Sequence, residues 1–228
     1  MKKFLIIFMC FLVIAPGCAN MNNMGKGGVI GGAAGTALGA GVGALIGKGK
    51  GAAIGAAIGG AVGSGAGLLI GRKMDAKAAE LEAALENAKV ETVQDQNGLQ
   101  AIKVTFDSGI LFATGKSALT QVSKNELTEF ATQMRDMADA DITIYGHTDN
   151  TGSAAINEKL SKERAESVKY YLVNQGIAPA RMTSEGMSFN MPVADNSTAE
   201  GRAQNRRVEL YVTASHTMIQ QAENGTLR

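Results

Sequence analysis

A row of glycines at every fourth position constrains this chain more than any other feature of its sequence. The row runs without a gap from Gly27 to Gly71, and mainly Ala, Val, Ile and Leu lie between its members. In a helix exposed to water, each glycine costs about 1 kcal/mol relative to alanine, so helical propensity alone cannot stabilise this segment. Either a bilayer or close packing between helices has to compensate for that cost.

Two lysines divide the glycine row into two apolar stretches. Lys48 and Lys50 are the only charges between residues 28 and 71. Each stretch holds about twenty residues, which as a helix matches the ~30 Å of hydrocarbon in a bilayer. We therefore predict a membrane-associated helical hairpin over residues 27–71, with the lysines at its tip and with homo-oligomers forming through the glycine rows. A soluble Gly/Ala-rich spacer is the alternative that the sequence leaves open.

The N-terminus has the pattern of a bacterial lipoprotein signal. Two lysines precede an apolar run that is short for a bilayer span, and small residues then lead to Cys18. We predict a signal peptide over residues 1–17, lipidation of Cys18 and a tether over residues 18–26. An uncleaved N-terminal anchor is the alternative. Ala19 stands where enteric lipoproteins that stay in the inner membrane have Asp, so we expect an outer-membrane, lipid-anchored protein with its globular part in the periplasm.

Composition excludes several classes of function. The chain has 22 basic and 21 acidic residues and a formal charge of +1, which gives no basic surface for nucleic acid. Its two histidines lie far apart, and Cys10 and Cys18 belong to the signal region. We therefore predict no metal site, no cofactor and no nucleophile–base set.

One strand–loop–helix stretch, residues 142–175, carries the pattern of a binding site. A short strand leads to a polar loop with Asp149, and Arg164 follows on an amphipathic helix. A carboxylate and a guanidinium that face one small volume suit a zwitterionic ligand, because Asp accepts an ammonium and Arg binds a carboxylate with its planar fork. The alternative is structural: a loop Asp is usually a turn or N-cap residue, and a helix Arg is usually solvated.

The stretch belongs to a series of separate blocks in a fixed order: G-H-T-D-N-T-G at 146–152, Asn157, Leu160-Ser161, Arg164-Ala165, G-I-x-P-x-R at 176–181, Pro192, Asn196 and G-R-A-Q-N-R-R-V-E at 201–209. With these blocks the chain resembles the OmpA C-terminal domain family, the peptidoglycan-binding module of Gram-negative outer-membrane proteins and lipoproteins.

The resemblance assigns roles to five residues. In the family an aspartate and an arginine hold the free end of diaminopimelate in the peptide stem, and these roles fall on Asp149 and Arg164. Asn157, Thr151 and Arg206 match positions that line the same pocket. The resemblance also implies that the glycine row is the glycine zipper that often precedes such a domain in lipoproteins.

The sequence departs from the family at one position. Ala113 stands where members commonly carry an Asp, and Asp107 is a nearby carboxylate that does not align with it. We therefore expect one contact to the ligand's ammonium to be absent or to come from another group.

The remaining pattern predicts an α/β fold, an α+β two-layer sandwich whose family form is β-α-β-α-β. Alternation around Asn97-Gly98 predicts a hairpin, and a helix over about 118–138 is expected to bury Val122 with other apolar residues. We predict an exposed helical connector over 72–89, a domain over 90–213 and a loose polar tail over 214–228.

These observations favour non-enzymatic tethering of the outer membrane to the cell wall. An oligomeric channel or stator component built by the glycine segment is one alternative, although the apolar stretches hold no ionisable residue for ion conduction. A hydrolase is the other, and it would need two carboxylates across a cleft. The nearby Glu158 and Glu163 lie on a charge-rich helix and are expected to be solvated.

Overall fold

The computed structural model describes residues 65–113 and 115–227. The predictions for the signal peptide, Cys18, the tether and most of the glycine row lie outside these residues. The helices are α1 (Gly65–Ala84), α2 (Ser108–Leu111), α3 (Gln121–Arg135), α4 (Ala154–Asn174), α5 (Ala199–Asn205) and α6 (His216–Glu223), with a 3-10 turn at Pro179–Arg181. The strands are β1 (Ala88–Gln94), β2 (Gln100–Asp107), β3 (Ala140–Gly146), β4 (Met182–Gly186) and β5 (Arg207–Ala214).

The five strands form one mixed sheet in the order β1-β2-β5-β3-β4. Only β3 and β4 run parallel, and the other neighbours are antiparallel. Because side chains alternate along a strand, one face carries apolar residues such as Val104, Ile144 and Leu210, which share a core with the helices. The opposite face carries polar residues such as Lys103 and Glu209. The predicted two-layer α/β fold is confirmed, and so is the hairpin at Asn97-Gly98, where Gly98 has a φ of 73°.

The connector is not exposed, and its helix begins and ends earlier than the predicted 72–89. Helix α1 ends at Ala84, and β1 begins four residues later. Ile70, Met74 and Leu81 are fully buried in the same core as the sheet. Their apolar stripe is narrow, but it packs against a second apolar surface on α6. Helix α1 is therefore buried where the sequence predicts an exposed helix. Within the described ranges, no helix combines the length and the apolar content that crossing a membrane requires.

The C-terminal tail is not loose. Ser215 caps helix α6 by accepting a hydrogen bond from the Met218 amide. Met218, Ile219 and Ala222 are buried in the core. Because the apolar stripe of this short helix contains few residues, the sequence pattern predicts a polar tail instead of a buried helix. The folded unit therefore includes α1 and α6, beyond the predicted limits of 90 and 213.

The predicted buried face of α3 is wrong at one position. Val122 is 51% exposed, whereas Leu127, Phe130 and Met134 are buried as expected. Val122 lies in the first turn after the Thr120 cap. In that turn the inward position is occupied by Ser123, whose hydroxyl donates to the Leu111 carbonyl at 2.6 Å.

Helix α4 packs unusually close to the ends of β3 and β4. Gly146 and Gly186 pair in register on these strands, and both face the backbone of α4 near Ser161. A Cβ on Gly146 would lie 2.1 Å from the Ser161 carbonyl oxygen, and one on Gly186 would lie 2.5 Å from the Lys162 nitrogen. Only glycine therefore permits this contact, which sets the position of α4 relative to the loop after β3.

We predict that Gly146→Ala destabilises the protein by about 3 kcal/mol, because the added methyl meets backbone that cannot move aside as a side chain would. Urea denaturation of the full chain measures the change. Gly65→Ala is the matched control, since a Cβ there meets nothing within 4 Å. Equal stability of the two variants would show that α4 can shift without cost.

We predict that Met218→Ala lowers the free energy of unfolding by about 2–5 kcal/mol, the usual cost of a cavity in a core. Gln220→Ala, at an exposed position of the same helix, should change it by less than about 0.5 kcal/mol. Thermal or urea unfolding distinguishes the two. If both variants unfold like the parent, α6 does not belong to the cooperative unit.

Candidate functional site

The loop between β3 and α4 is held at both of its ends. The His147 amide donates to the Arg207 carbonyl at 2.9 Å, and the Thr148 amide donates to the Ser188 carbonyl at 2.9 Å. At the other end Ser153 caps α4 by accepting from the Ile156 amide. The capping role is thus taken by Ser153, and Asp149 is left for other contacts.

All five residues that the sequence predicts as ligand-binding line one cavity of about 520 Å³. Asp149, Asn157 and Arg164 are buried, with 7%, 3% and 3% of their surfaces exposed. The cavity lies between the β3–α4 loop, the first turns of α4, the segment before α3 and the end of α5. The described residues that line it are Gly109, Phe112, Gly115, Thr148, Asp149, Thr151, Ile156, Asn157, Leu160, Arg164, Arg202 and Arg206.

Arg164 is a buried cation held by neutral groups. Its Nε donates to the Lys116 carbonyl at 3.1 Å, and its guanidinium lies 5.1 Å from the centre of the Phe112 ring. Burial lowers the pKa of Arg164, and the charge of Arg206 lowers it further, while Asp149 acts in the opposite direction. No ion pair joins Arg164 to a carboxylate among residues 65–113 and 115–227. A buried charge in this state is stabilised when an anion binds beside it.

Asp149 is ionised and already paired. Its Oδ1 accepts from the Thr151 amide at 2.8 Å, and its Oδ2 accepts from Arg206 Nη1 at 2.7 Å. Burial raises the pKa of Asp149, but the hydrogen bonds from Arg206 and Thr151 outweigh burial, and the pKa lies below its ordinary value. Oδ1 therefore has the turn role that the sequence left open for Asp149, while Oδ2 faces the cations of the cavity.

Asn157 and Thr151 shape the loop. Asn157 Nδ2 donates to the Thr151 carbonyl at 2.9 Å, and the Asn157 amide donates to the Ser153 carbonyl. The Thr151 amide and carbonyl are both engaged, so the backbone around Asp149 is fixed before any ligand arrives. Such fixed geometry lowers the ordering cost of binding.

The departure at Ala113 has a clear structural outcome. Ala113 is exposed and does not line the cavity, and Asp107 accepts from the Gly109 amide at 2.6 Å and lines a different cavity. Asp149 is therefore the only carboxylate in the lining that the structure describes. The sequence reasoning missed Arg202 and Phe112, although Arg202 stands in the G-R-A-Q-N-R-R block that it quoted.

The carboxylates that a hydrolase would use lie elsewhere. Glu158 is exposed, Glu163 is half-buried, and neither lines the cavity. His147 is buried with its Nε2 3.6 Å from Glu209, and burial lowers its pKa. In the parts of the chain that the structure covers, no group of three or more His, Cys, Asp or Glu side chains could hold a metal ion.

A second cavity, of about 640 Å³, lies against the polar face of the sheet. Its buried charges satisfy one another: Glu209 accepts from Arg207 at 2.7 Å and lies 3.1 Å from Lys103. Tyr211 donates to the same carboxylate at 2.9 Å. The charges of this network are balanced within the fold, whereas Arg164 forms no ion pair among the described residues, so the smaller cavity is the better candidate site.

Comparison with known proteins places the site in a characterised domain type. Residues 111–206 match the OmpA family, and residues 1–75 match the YMGG-like Gly-zipper. The probable lipoprotein YiaD of Escherichia coli is 36% identical over 144 residues, covering 63% of this chain and 64% of YiaD. The peptidoglycan-binding protein ArfA of Mycobacterium bovis is 40% identical over 112 residues, covering 49% of this chain and 34% of ArfA.

A solved structure supports the same assignment. The cell wall anchor of the T6SS from Pseudomonas aeruginosa is 33% identical and superposes with a TM-score of 0.52, covering 62% of this chain and 97% of that chain. The chain spans less than two thirds of the length of either curated relative. Through residues 111–206, which contain every described member of the cavity lining except Gly109, the chain belongs to the OmpA family, and a YMGG-like Gly-zipper segment precedes that domain.

Proposed function

We propose that the chain binds peptidoglycan non-covalently through the 520 Å³ cavity and tethers the outer membrane to the cell wall. One observation carries the proposal: a buried Arg164 without a carboxylate partner in the described residues shares a cavity with the ionised Asp149. The relatives agree with it, since ArfA is named a peptidoglycan-binding protein and the T6SS structure is a cell wall anchor.

The ligand that this pair suits is the free end of diaminopimelate in a stem peptide. That end carries an ammonium and a carboxylate on one carbon. Asp149 accepts hydrogen bonds from the ammonium, and Arg164 binds the carboxylate in a bidentate, charge-assisted contact. Leu160 and Ile156, which also line the cavity, offer apolar surface to the methylene chain of the diamino acid.

The cavity supports binding without chemistry. A glycosidase needs two carboxyl groups, one with a raised pKa, whereas the one carboxylate in the described lining has a lowered pKa. Binding energy in this site comes from charge and shape that are present before the ligand arrives. The function that follows is adhesion to the wall polymer.

The membrane end of the tether is the N-terminal part of the chain. A lipid on Cys18 and the part of the Gly-zipper segment that precedes α1 would hold the outer membrane, and the similarity to a protein named as a lipoprotein supports that arrangement. Helix α1 is packed into the domain core from Ala66 onward.

We predict that Asp149→Asn and Arg164→Gln each weaken binding to purified sacculi by at least about 30-fold, the cost of removing one partner of a desolvated charge contact. Cosedimentation of the full chain measures binding. Both variants should remain folded, and Arg164→Gln should unfold no earlier than the parent, because it removes a buried unpaired charge. Lys159→Gln, on the exposed side of α4, is the matched control, and parent-like sedimentation of either site variant would exclude the assignment.

We predict that a stem tetrapeptide with diaminopimelate competes with sacculi at least about tenfold better than the same tetrapeptide with lysine. The two peptides differ only in the side-chain carboxylate, which Arg164 would bind. In Arg164→Gln the preference should disappear. Equal competition by both peptides for the parent protein would show that the Arg164 guanidinium does not bind this carboxylate.

A further inference from the structure

The cavity holds more positive charge than one amino-acid head group can neutralise. Among the described residues of its lining, Arg164, Arg202 and Arg206 accompany one carboxylate, Asp149, so three positive charges and one negative charge leave +2. The head group proposed above adds one ammonium and one carboxylate, which sum to zero. Two guanidiniums thus remain without an anion when that head group is bound.

Arg206 is the first of them. In the free protein it donates to Asp149 Oδ2 at 2.7 Å. A ligand ammonium that binds the same carboxylate would lie beside a like charge, which is unfavourable at this distance. The Arg206 side chain is 40% exposed, so it has room to turn toward another anion in the cavity.

Arg202 is the second. Its Nη1 donates to the carbonyls of Asn196 and Ser197 at 2.9 and 3.1 Å, which fixes the guanidinium without neutralising it. No ion pair joins Arg202 to a carboxylate in the described ranges. Arg202 and Arg206 are four residues apart, and the Arg206 amide donates to the Arg202 carbonyl at 3.1 Å. Like charges at this spacing share one helix face and repel each other.

We propose that Arg202 and Arg206 form a second anion-binding subsite in the cavity, which takes the free carboxylate of the residue that precedes the diamino acid in the same ligand. This subsite rests on the proposed function and refines its ligand from a single head group to a dicarboxylate segment of a peptide. In a stem peptide the adjacent glutamate supplies that carboxylate only while it is not amidated. Amidation of this group would therefore control how tightly the wall is held.

The test compares two stem tetrapeptides that contain diaminopimelate and differ only at the adjacent glutamate, which carries a free α-carboxylate in one and an α-carboxamide in the other. Calorimetry on the full chain should show about tenfold tighter binding of the free acid, the effect of a charge-assisted hydrogen bond. In Arg202→Gln and Arg206→Gln this ratio should fall toward one. In Arg135→Gln, at an exposed position on α3, the ratio should stay as in the parent.

The outcomes separate the two proposals. Equal affinity of the parent for both peptides overturns the second subsite and leaves the first site standing. A tenfold ratio that persists in both arginine variants also overturns the second subsite. Because the ratio compares two peptides on the same variant, a partial loss of stability in that variant does not change the conclusion. Failure of the parent to bind either peptide overturns the proposed function and the subsite together.

Discussion

The close contact of α4 with the ends of β3 and β4 decides where both charges of the site lie. Gly146 and Gly186 leave no side chain between the strands and the backbone at Ser161. Arg164 follows Ser161 by less than one helical turn, and Asp149 follows Gly146 by three residues. One backbone contact therefore brings the guanidinium and the carboxylate to the same cavity, and the loop hydrogen bonds of Asn157 and Ser153 hold them there.

The electrostatics of the cavity favour an anion. Arg164 is buried against a carbonyl and an aromatic ring, which orient a cation but do not neutralise it. The Asp149 carboxylate is shared with Arg206, so the free protein holds a local excess of positive charge. The buried network around Glu209 on the polar face of the sheet has the opposite character, since its charges are balanced within the fold. Unbalanced charge therefore distinguishes the proposed binding site from the balanced network on the sheet.

The sequence predicted what depends on local pattern or on contiguous motifs. The turn at Asn97-Gly98 follows from the local pattern, and the gathering of five site residues follows from the motif blocks. The sequence predictions were wrong for segments whose burial depends on tertiary contacts. Helices α1 and α6 each carry too few apolar residues to indicate burial alone, and they are buried because they contact each other and the sheet. Arg202 was missed because carbonyl hydrogen bonds from a loop, invisible in the sequence, hold its guanidinium at the cavity.

A crystal structure of the full chain with a diaminopimelate stem tetrapeptide tests the central claim most directly. The account predicts the side-chain ammonium within hydrogen-bond distance of Asp149 and the side-chain carboxylate on the Arg164 guanidinium, both inside the 520 Å³ cavity. A peptide seated against the polar face of the sheet beside Lys103, with Arg164 still covered only by the Lys116 carbonyl and Phe112, would contradict it.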